Sequence, residues 1–126
     1  MANNRPAWIP GLAATGDLSS HQYKAVRMGS TANTVKVIAG INGTAVGFLQ
    51  NDPTDGQGAA VAGPGGVATA LAGAADIAAG EILGVNTSGQ VVDHTTDNRK
   101  TIALALEAST AVGDEIKVEV LGVARY

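Results

Sequence analysis

The sequence predicts an all-β fold, and three observations carry that prediction. Short runs alternate with period two: Tyr23–Met28 does so, and in Glu115–Leu121 the residues Ile116, Val118 and Val120 share one face while Lys117 and Glu119 share the other. β-Branched residues gather in such runs, as in Thr34-Val35-Lys36-Val37-Ile38. Turn residues separate the runs at intervals of roughly ten residues. About eight short strands at that spacing predict a small compact β-barrel or β-sandwich with little helix.

The elements follow in order. Pro6, Pro10 and Gly11 disfavour helix and favour an extended path, so residues 1–16 read as an extended N-terminal arm and residues 17–126 as a single β domain. The only Trp of the chain, Trp8, lies on this arm beside Ile9 and Pro10. A large apolar side chain on an arm more often docks than dangles. Trp8, Ile9 and Pro10 are therefore the candidate contacts to a partner or a neighbouring subunit. Asp17 or Ser19 is placed to cap a single helical turn. Strands are expected at Tyr23–Met28, Thr34–Ile38 and Ala45–Gln50, with turns at Thr31–Asn33 and at Gly40–Gly43, where Asn42-Gly43 is a hairpin signal.

Residues 46–66 are the most informative stretch. Val46, Phe48 and Leu49 run into the polar turn Gln50–Gly56, a thin run Ala59–Ala62 follows, and Gly63-Pro64-Gly65-Gly66 is expected to end it in a turn. Val67–Ala79 suits helix or strand. The alternation of Val67, Thr69 and Leu71 and the break at Gly73 favour a strand to Leu71 and then a loop. Ile82–Val85, Gln90–Val92, Thr101–Ala108 and Glu115–Leu121 complete the strands, with a turn at Asn86–Gly89 and a polar loop at Asp93–Lys100. A faint internal echo links Ala78-Ala79-Gly80-Glu81 to Ala111-Val112-Gly113-Asp114. Each is a small-residue turn in which Gly permits positive φ before a strand.

Composition excludes several function classes. With 17 glycines and only one Trp, one Phe and two Tyr, the core is thin in large side chains, which favours stabilisation by oligomerisation. The net charge is −3 and the basic residues are scattered, so the clustered basic patch of a nucleic-acid binder is missing. There is no Cys, hence neither a disulfide nor a thiolate metal site. The first sixteen residues lack the apolar core of a secretory signal, and no apolar run approaches the roughly 18 residues of a membrane span. A protein made and folded in the cytoplasm, with no membrane partner, is expected.

Chemistry is sparse. Asp17, Ser19, Ser20 and His21 supply the residue types of a triad, but no nucleophile-elbow frame surrounds either serine. Asp93-His94-Thr95-Thr96-Asp97 offers two carboxylates and an imidazole without the further ligands that a metal requires. Asn51–Gly56 lacks the alternating acids of a calcium loop, and Gly63–Gly66 lacks the Gly-Lys-Ser/Thr ending of a phosphate loop. No enzyme, cofactor or metal is expected.

Four segments in order resemble the small capsid decoration, or cement, proteins of tailed bacteriophages. Asp17-Leu18-Ser19-Ser20-His21-Gln22-Tyr23 is similar to their opening element. Val46–Pro53 with Gly56 and Ala59–Val61 resembles their Gly-Val-Leu-Gln-Asn-x-Pro segment, with Phe48 in place of a small aliphatic residue. Ile77-Ala78-Ala79-Gly80-Glu81 matches their Ile-x-Ala-Gly-acid turn. Ile102–Ala108, with an extra Leu-Ala step, and Gly113–Ile116 resemble their closing strands. The resemblance spans residues 17–120.

The resemblance implies a compact β fold on the outer surface of a virion, bound to the major capsid protein and stabilising the shell, often as a homotrimer. It implies no catalysis. Another virion β module, such as a head fibre or tail component, is the alternative. The family's contacts follow no motif, so Trp8, Ile9 and Pro10 rest on the physical reading alone. Deleting residues 1–16 is expected to leave the fold intact and weaken capsid binding.

Overall fold

The computed structural model describes residues 5–38, 44–93 and 101–124, with side chains to residue 121. Ten strands occur: β1 (Arg5–Ile9), β2 (Ala13–Ala14), β3 (Ala25–Met28), β4 (Thr34–Val37), β5 (Ala45–Leu49), β6 (Val61–Leu71), β7 (Ile82–Val85), β8 (Val91–Asp93), β9 (Thr101–Ala105) and β10 (Glu115–Ala124). They form one sheet in the order β2-β4-β3-β5-β6-β10-β9-β7-β8, with β1 paired to β6 off that path. The all-β expectation holds. The sheet is not closed into a barrel, and it has ten strands rather than about eight because the N-terminal segment contributes two. Val67–Leu71 is strand, as the alternation indicated. The expected turn at Gly40–Gly43 and residues 94–100 of the expected polar loop lie outside the described residues.

The sheet is buried on both faces at its middle. In β5, Phe48 points into one apolar cluster and Leu49 into another, and both are fully buried. The same alternation places Ala62 with Phe48 and Val61 with Leu49. A strand covered on both sides reads as a continuous apolar run, which Phe48-Leu49 and Val61-Ala62 are. The larger cluster is roofed by Ala68, Ala70, Ala103, Ala105, Val118 and Val120, and Leu83, Val85 and Ile102 fill it. Alanines let neighbouring backbones come close, so few large side chains suffice. The smaller cluster holds Leu12, Leu18, Val26, Val35, Leu49 and Val61.

Both ends of the sheet curl back and are covered. Val91 of β8 bridges Ala72, just past β6, and its carbonyl accepts the Gly73 N–H at 2.7 Å. At the other end Ala13 of β2 bridges Gly58. The unpaired rows that such edges would present are thereby blunted.

Gly63–Gly66 corrects the sequence reading. These residues do not end a strand in a turn; they lie inside β6. Between the pairs Ala7↔Gly63 and Arg5↔Val67, two steps on β1 face four on β6, so the extra residues bulge outward. Pro64 and Gly65 are exposed there, and Gly65 has φ of 96°. The missing N–H of Pro64 costs nothing at a position without a ladder partner. The strand also bends sharply. The Gln50 N–H bonds Ala60 O at 2.7 Å while its side-chain amide bonds Thr69 O at 2.9 Å. Nine residues of straight strand would separate those two points by about 30 Å, far beyond the reach of one glutamine.

The N-terminal segment is extended, as its prolines imply, but it lies within the sheet. Ile9 stands opposite Val61, the Leu12 carbonyl accepts the Ala59 N–H at 2.9 Å, and the Ala14 N–H donates to Gln57 O at 2.8 Å. Residues 5–14 thus run antiparallel to residues 57–67, with a break at Pro10 and Gly11, where Gly11 has φ of 75°. Leu12 and Ala14 are buried in the smaller cluster.

The internal echo is a repeated piece of structure. Gly80 and Gly113 both have φ of 93°. Glu81 N–H bonds Ala78 O, and Asp114 N–H bonds Ala111 O, each at 3.2 Å. Both turns dock in the same way. Gly80 N–H donates to Ala105 O and Ala105 N–H returns to Glu81 O, while Gly113 N–H donates to Ala72 O and Ala72 N–H returns to Asp114 O. The loops before the turns also meet, since Ser109 Oγ accepts from Ile77 N–H and donates to Ala74 O at 2.7 Å.

Candidate interaction surface

β1 presents its side chains in two directions. Ile9 faces the smaller cluster across from Val61 and is half-buried. Trp8 points the other way, opposite Ala62, which is itself opposite Phe48. Trp8 remains 54% exposed and Pro10 is exposed beside it. Of the residues singled out from sequence, Ile9 therefore serves the chain's own packing, while Trp8 and Pro10 form a solvent-facing apolar spot. Arg5 adds a positive charge at the far end of the same strand.

The seat for β1 is made of glycine, and sequence reasoning missed it. A Cβ on Gly63 would lie 2.7 Å from Ile9 Cγ1, and one on Gly66 would lie 2.6 Å from Arg5 O and nearer still to Ala7 N. Real Cβ atoms do not approach so closely, so Gly66 is required by the β1 backbone, while at Gly63 the Ile9 side chain would have to turn aside. Gly65 between them meets nothing and is required instead by its positive φ. The signal was the density of glycine around Pro64, which reads equally well as a turn.

The triad-like residue types do not assemble for catalysis. The hydroxyl and N–H of Ser19 bond the Asp17 carboxylate and hold its pKa below the usual carboxylate range. The Ser20 hydroxyl lies 3.2 Å from His21 Nδ1, a contact between chain neighbours on an exposed turn. Burial, and then the Lys24 ammonium, push the imidazole below its ordinary pKa. Asp17 is thus committed to its own turn.

The Asn51–Gly56 loop is a clamp. Asn51 brackets it by donating to Gly58 O and accepting from Ala60 N–H, both at 3.0 Å. Asp55 accepts the Gly16 N–H at 2.8 Å, and Pro53 is buried with its carbonyl on Leu18 N–H. Asp55 thereby holds the end of the N-terminal segment. Among the described residues no three His, Cys, Asp or Glu side chains gather to hold a metal ion. His94 and Asp97 lie outside the described residues. Nor, among the described residues, is any helix long and apolar enough to cross a membrane.

The bent double-cored sheet, with its N-terminal strand seated on glycine, can be set beside known structures. Its fold is similar to that of a phage head-fibre base. The solved structure is the head fibre gp8.5 N base of bacteriophage phi29, with a TM-score of 0.67 over 91% of this chain and 95% of that one, at 14% identity. At that identity the likeness shows the fold alone. No family model matches the chain, and no curated protein matches it.

Proposed function

We propose that this chain is a structural protein of a tailed-phage virion that binds the outer face of the capsid and cements the shell, as a homotrimer whose partner is the major capsid protein. The observation that carries the virion reading is the near full-length likeness to the phi29 head-fibre base. The ordered motifs between residues 17 and 120 direct it toward the decoration proteins. The proposal assigns the chain no catalysis, cofactor, nucleic acid or membrane.

The physical logic is multivalent. A small oligomer across a seam between coat subunits gains avidity from several modest contacts. Trp8 and Pro10, exposed on and just beyond a docked strand, suit one such contact, because a preordered aromatic loses little entropy on binding.

A second reading, a head-fibre base, is favoured by the same neighbour. One experiment separates them. Purified protein is added to expanded, undecorated capsids, and binding and the temperature of shell disruption are measured. Cementing requires saturable binding together with a higher disruption temperature. Binding without stabilisation favours the fibre base, and no binding defeats both readings.

A further inference from the structure

We propose that β1 is exchanged between copies, so that residues 5–9 of one protomer occupy the Gly63/Gly66 seat of its neighbour and the oligomer is interlocked by its N-terminal strands. The inference rests on the oligomeric reading above and adds how the subunits are joined.

β1 is separable from the body. It lies off the strand path, and without it β2-β4-β3-β5-β6-β10-β9-β7-β8 remains one continuous sheet. None of its residues is among the buried core, and Ile9 alone packs against a cluster from the side. By contrast Leu12 and Ala14, just beyond Gly11, are buried at 7% and 2% exposure and tie β2 into the domain. The boundary between a removable strand and a fixed one therefore falls at Pro10-Gly11.

That boundary has the properties of a hinge. Gly11 is exposed, a Cβ there would meet nothing within 4 Å, and yet its φ is 75°. Its glycine is thus required by the break in the backbone between β1 and β2, and only by that. Swinging β1 outward relaxes Gly11 to ordinary extended backbone, and Pro10 stiffens the arm in the extended direction. A short hinge of this kind favours exchange of identical elements, because the pairing that β1 gives up in its own copy it recovers on the next.

The seat is as suitable for a neighbour's strand as for the chain's own. It recognises β1 by close backbone approach at Gly66 and by the Ile9 side chain over Gly63, and any copy supplies the same strand. Exchange leaves Trp8 in the same setting, 54% exposed on the docked strand and available to the coat protein.

The chain has no cysteine, so engineered pairs report directly. Arg5↔Val67 and Trp8↔Ala62 are paired across the β1–β6 ladder, at the Cα separation of about 4.5–5.5 Å that a disulfide spans. The variants R5C/V67C and W8C/A62C are oxidised at concentrations where light scattering reports an oligomer, then run on denaturing, non-reducing gels. Exchange predicts chains linked up to the size of the oligomer in at least one pair. Internally linked monomer bands in both pairs, or a wild-type protein that stays monomeric at every concentration, overturn it. Shell binding by the R5C/V67C samples, which keep Trp8 and Pro10, keeps the two proposals apart. Internally linked oligomers that decorate capsids refute exchange and leave the function standing, whereas cross-linked oligomers that fail to decorate do the reverse.

Discussion

The side-chain amide of Gln50 occupies both backbone polar groups of Thr69, donating from Nε2 to its carbonyl at 2.9 Å and accepting its N–H at Oε1 at 3.2 Å. Gln50 thereby substitutes for a residue of a missing neighbouring strand at the bend of β6. Thr69 is buried, and its hydroxyl accepts from Lys117 Nζ at 2.6 Å. Replacing Gln50 with Leu keeps the bulk and strands two buried backbone groups. At about 1–3 kcal/mol each, the loss in urea unfolding should be about 2–6 kcal/mol. A loss below about 1 kcal/mol would mean that the amide does not hold the bend.

Gly66→Ala should unseat β1 without unfolding the body. Its added methyl meets the β1 backbone at Ala7 N and Arg5 O, whereas that of Gly63→Ala meets the Ile9 side chain, which can turn aside, and serves as the milder control. Hydrogen exchange is expected to accelerate at the amides of Ala7 to Ile9 by at least tenfold, while β9 and β10 keep their protection. Uniform acceleration across the sheet would show that the seat supports the whole fold.

Gly80→Ala and Gly113→Ala should cost nearly the same. Both sites share φ of 93°, and at neither would a Cβ meet another atom. The penalty is therefore purely conformational, about 1–2 kcal/mol. Denaturant midpoints that differ by more than about 1 kcal/mol between the two variants would argue against equivalent turns.

Two truncations locate the true boundary of the N-terminal segment. Removing residues 1–9 deletes β1 and spares Leu12 and Ala14. Removing residues 1–16 also strips those two from the smaller cluster, where burying a leucine alone is worth about 1.5–3 kcal/mol. The shorter deletion should stay folded by circular dichroism. The longer one should melt several degrees lower, contrary to the expectation drawn from the sequence that all sixteen residues are dispensable to the fold.

Asp114 gives the fold an acid-sensitive contribution. The N–H of Thr110 and then that of Ala111 bond its carboxylate and hold its pKa below the usual range. A carboxyl depressed in the folded state stabilises above its unfolded value, near 3.9, and that contribution is lost as pH falls through the folded value. Asp114→Asn should therefore be less stable than wild type at pH 7, with the gap closing below about pH 4. Urea midpoints across pH would show it, and a gap independent of pH would refute it.

Much of the architecture was legible because it rests on local pattern. Ile116, Val118 and Val120 alternate and are buried, and Gly80 and Gly113 take the positive φ that the echoed turns required. Gly63–Gly66 was misread because glycine satisfies two demands, positive φ and close approach, and only tertiary contact with β1 distinguishes them. The placement of residues 12–14 was hidden for a related reason. Prolines announce an extended path, but whether that path pairs depends on the bonds offered by Gly56 and Ala59, more than forty residues away.

The reciprocal docking of the repeated turns has a consequence for how the chain folds. The turn before β7 is held by Ala105 of the later unit, and the turn before β10 by Ala72 of the earlier one. Neither unit can complete itself as it emerges from the ribosome. Both loops must close across tens of residues before either turn gains its bonds, which places this lobe among slow, high contact-order folders. Its rate-limiting barrier should accordingly fall at the meeting of Ala72 with Asp114 and Ala105 with Glu81. A chain arrested before residue 114 would have every strand of the lobe except the one that joins β6 to β9.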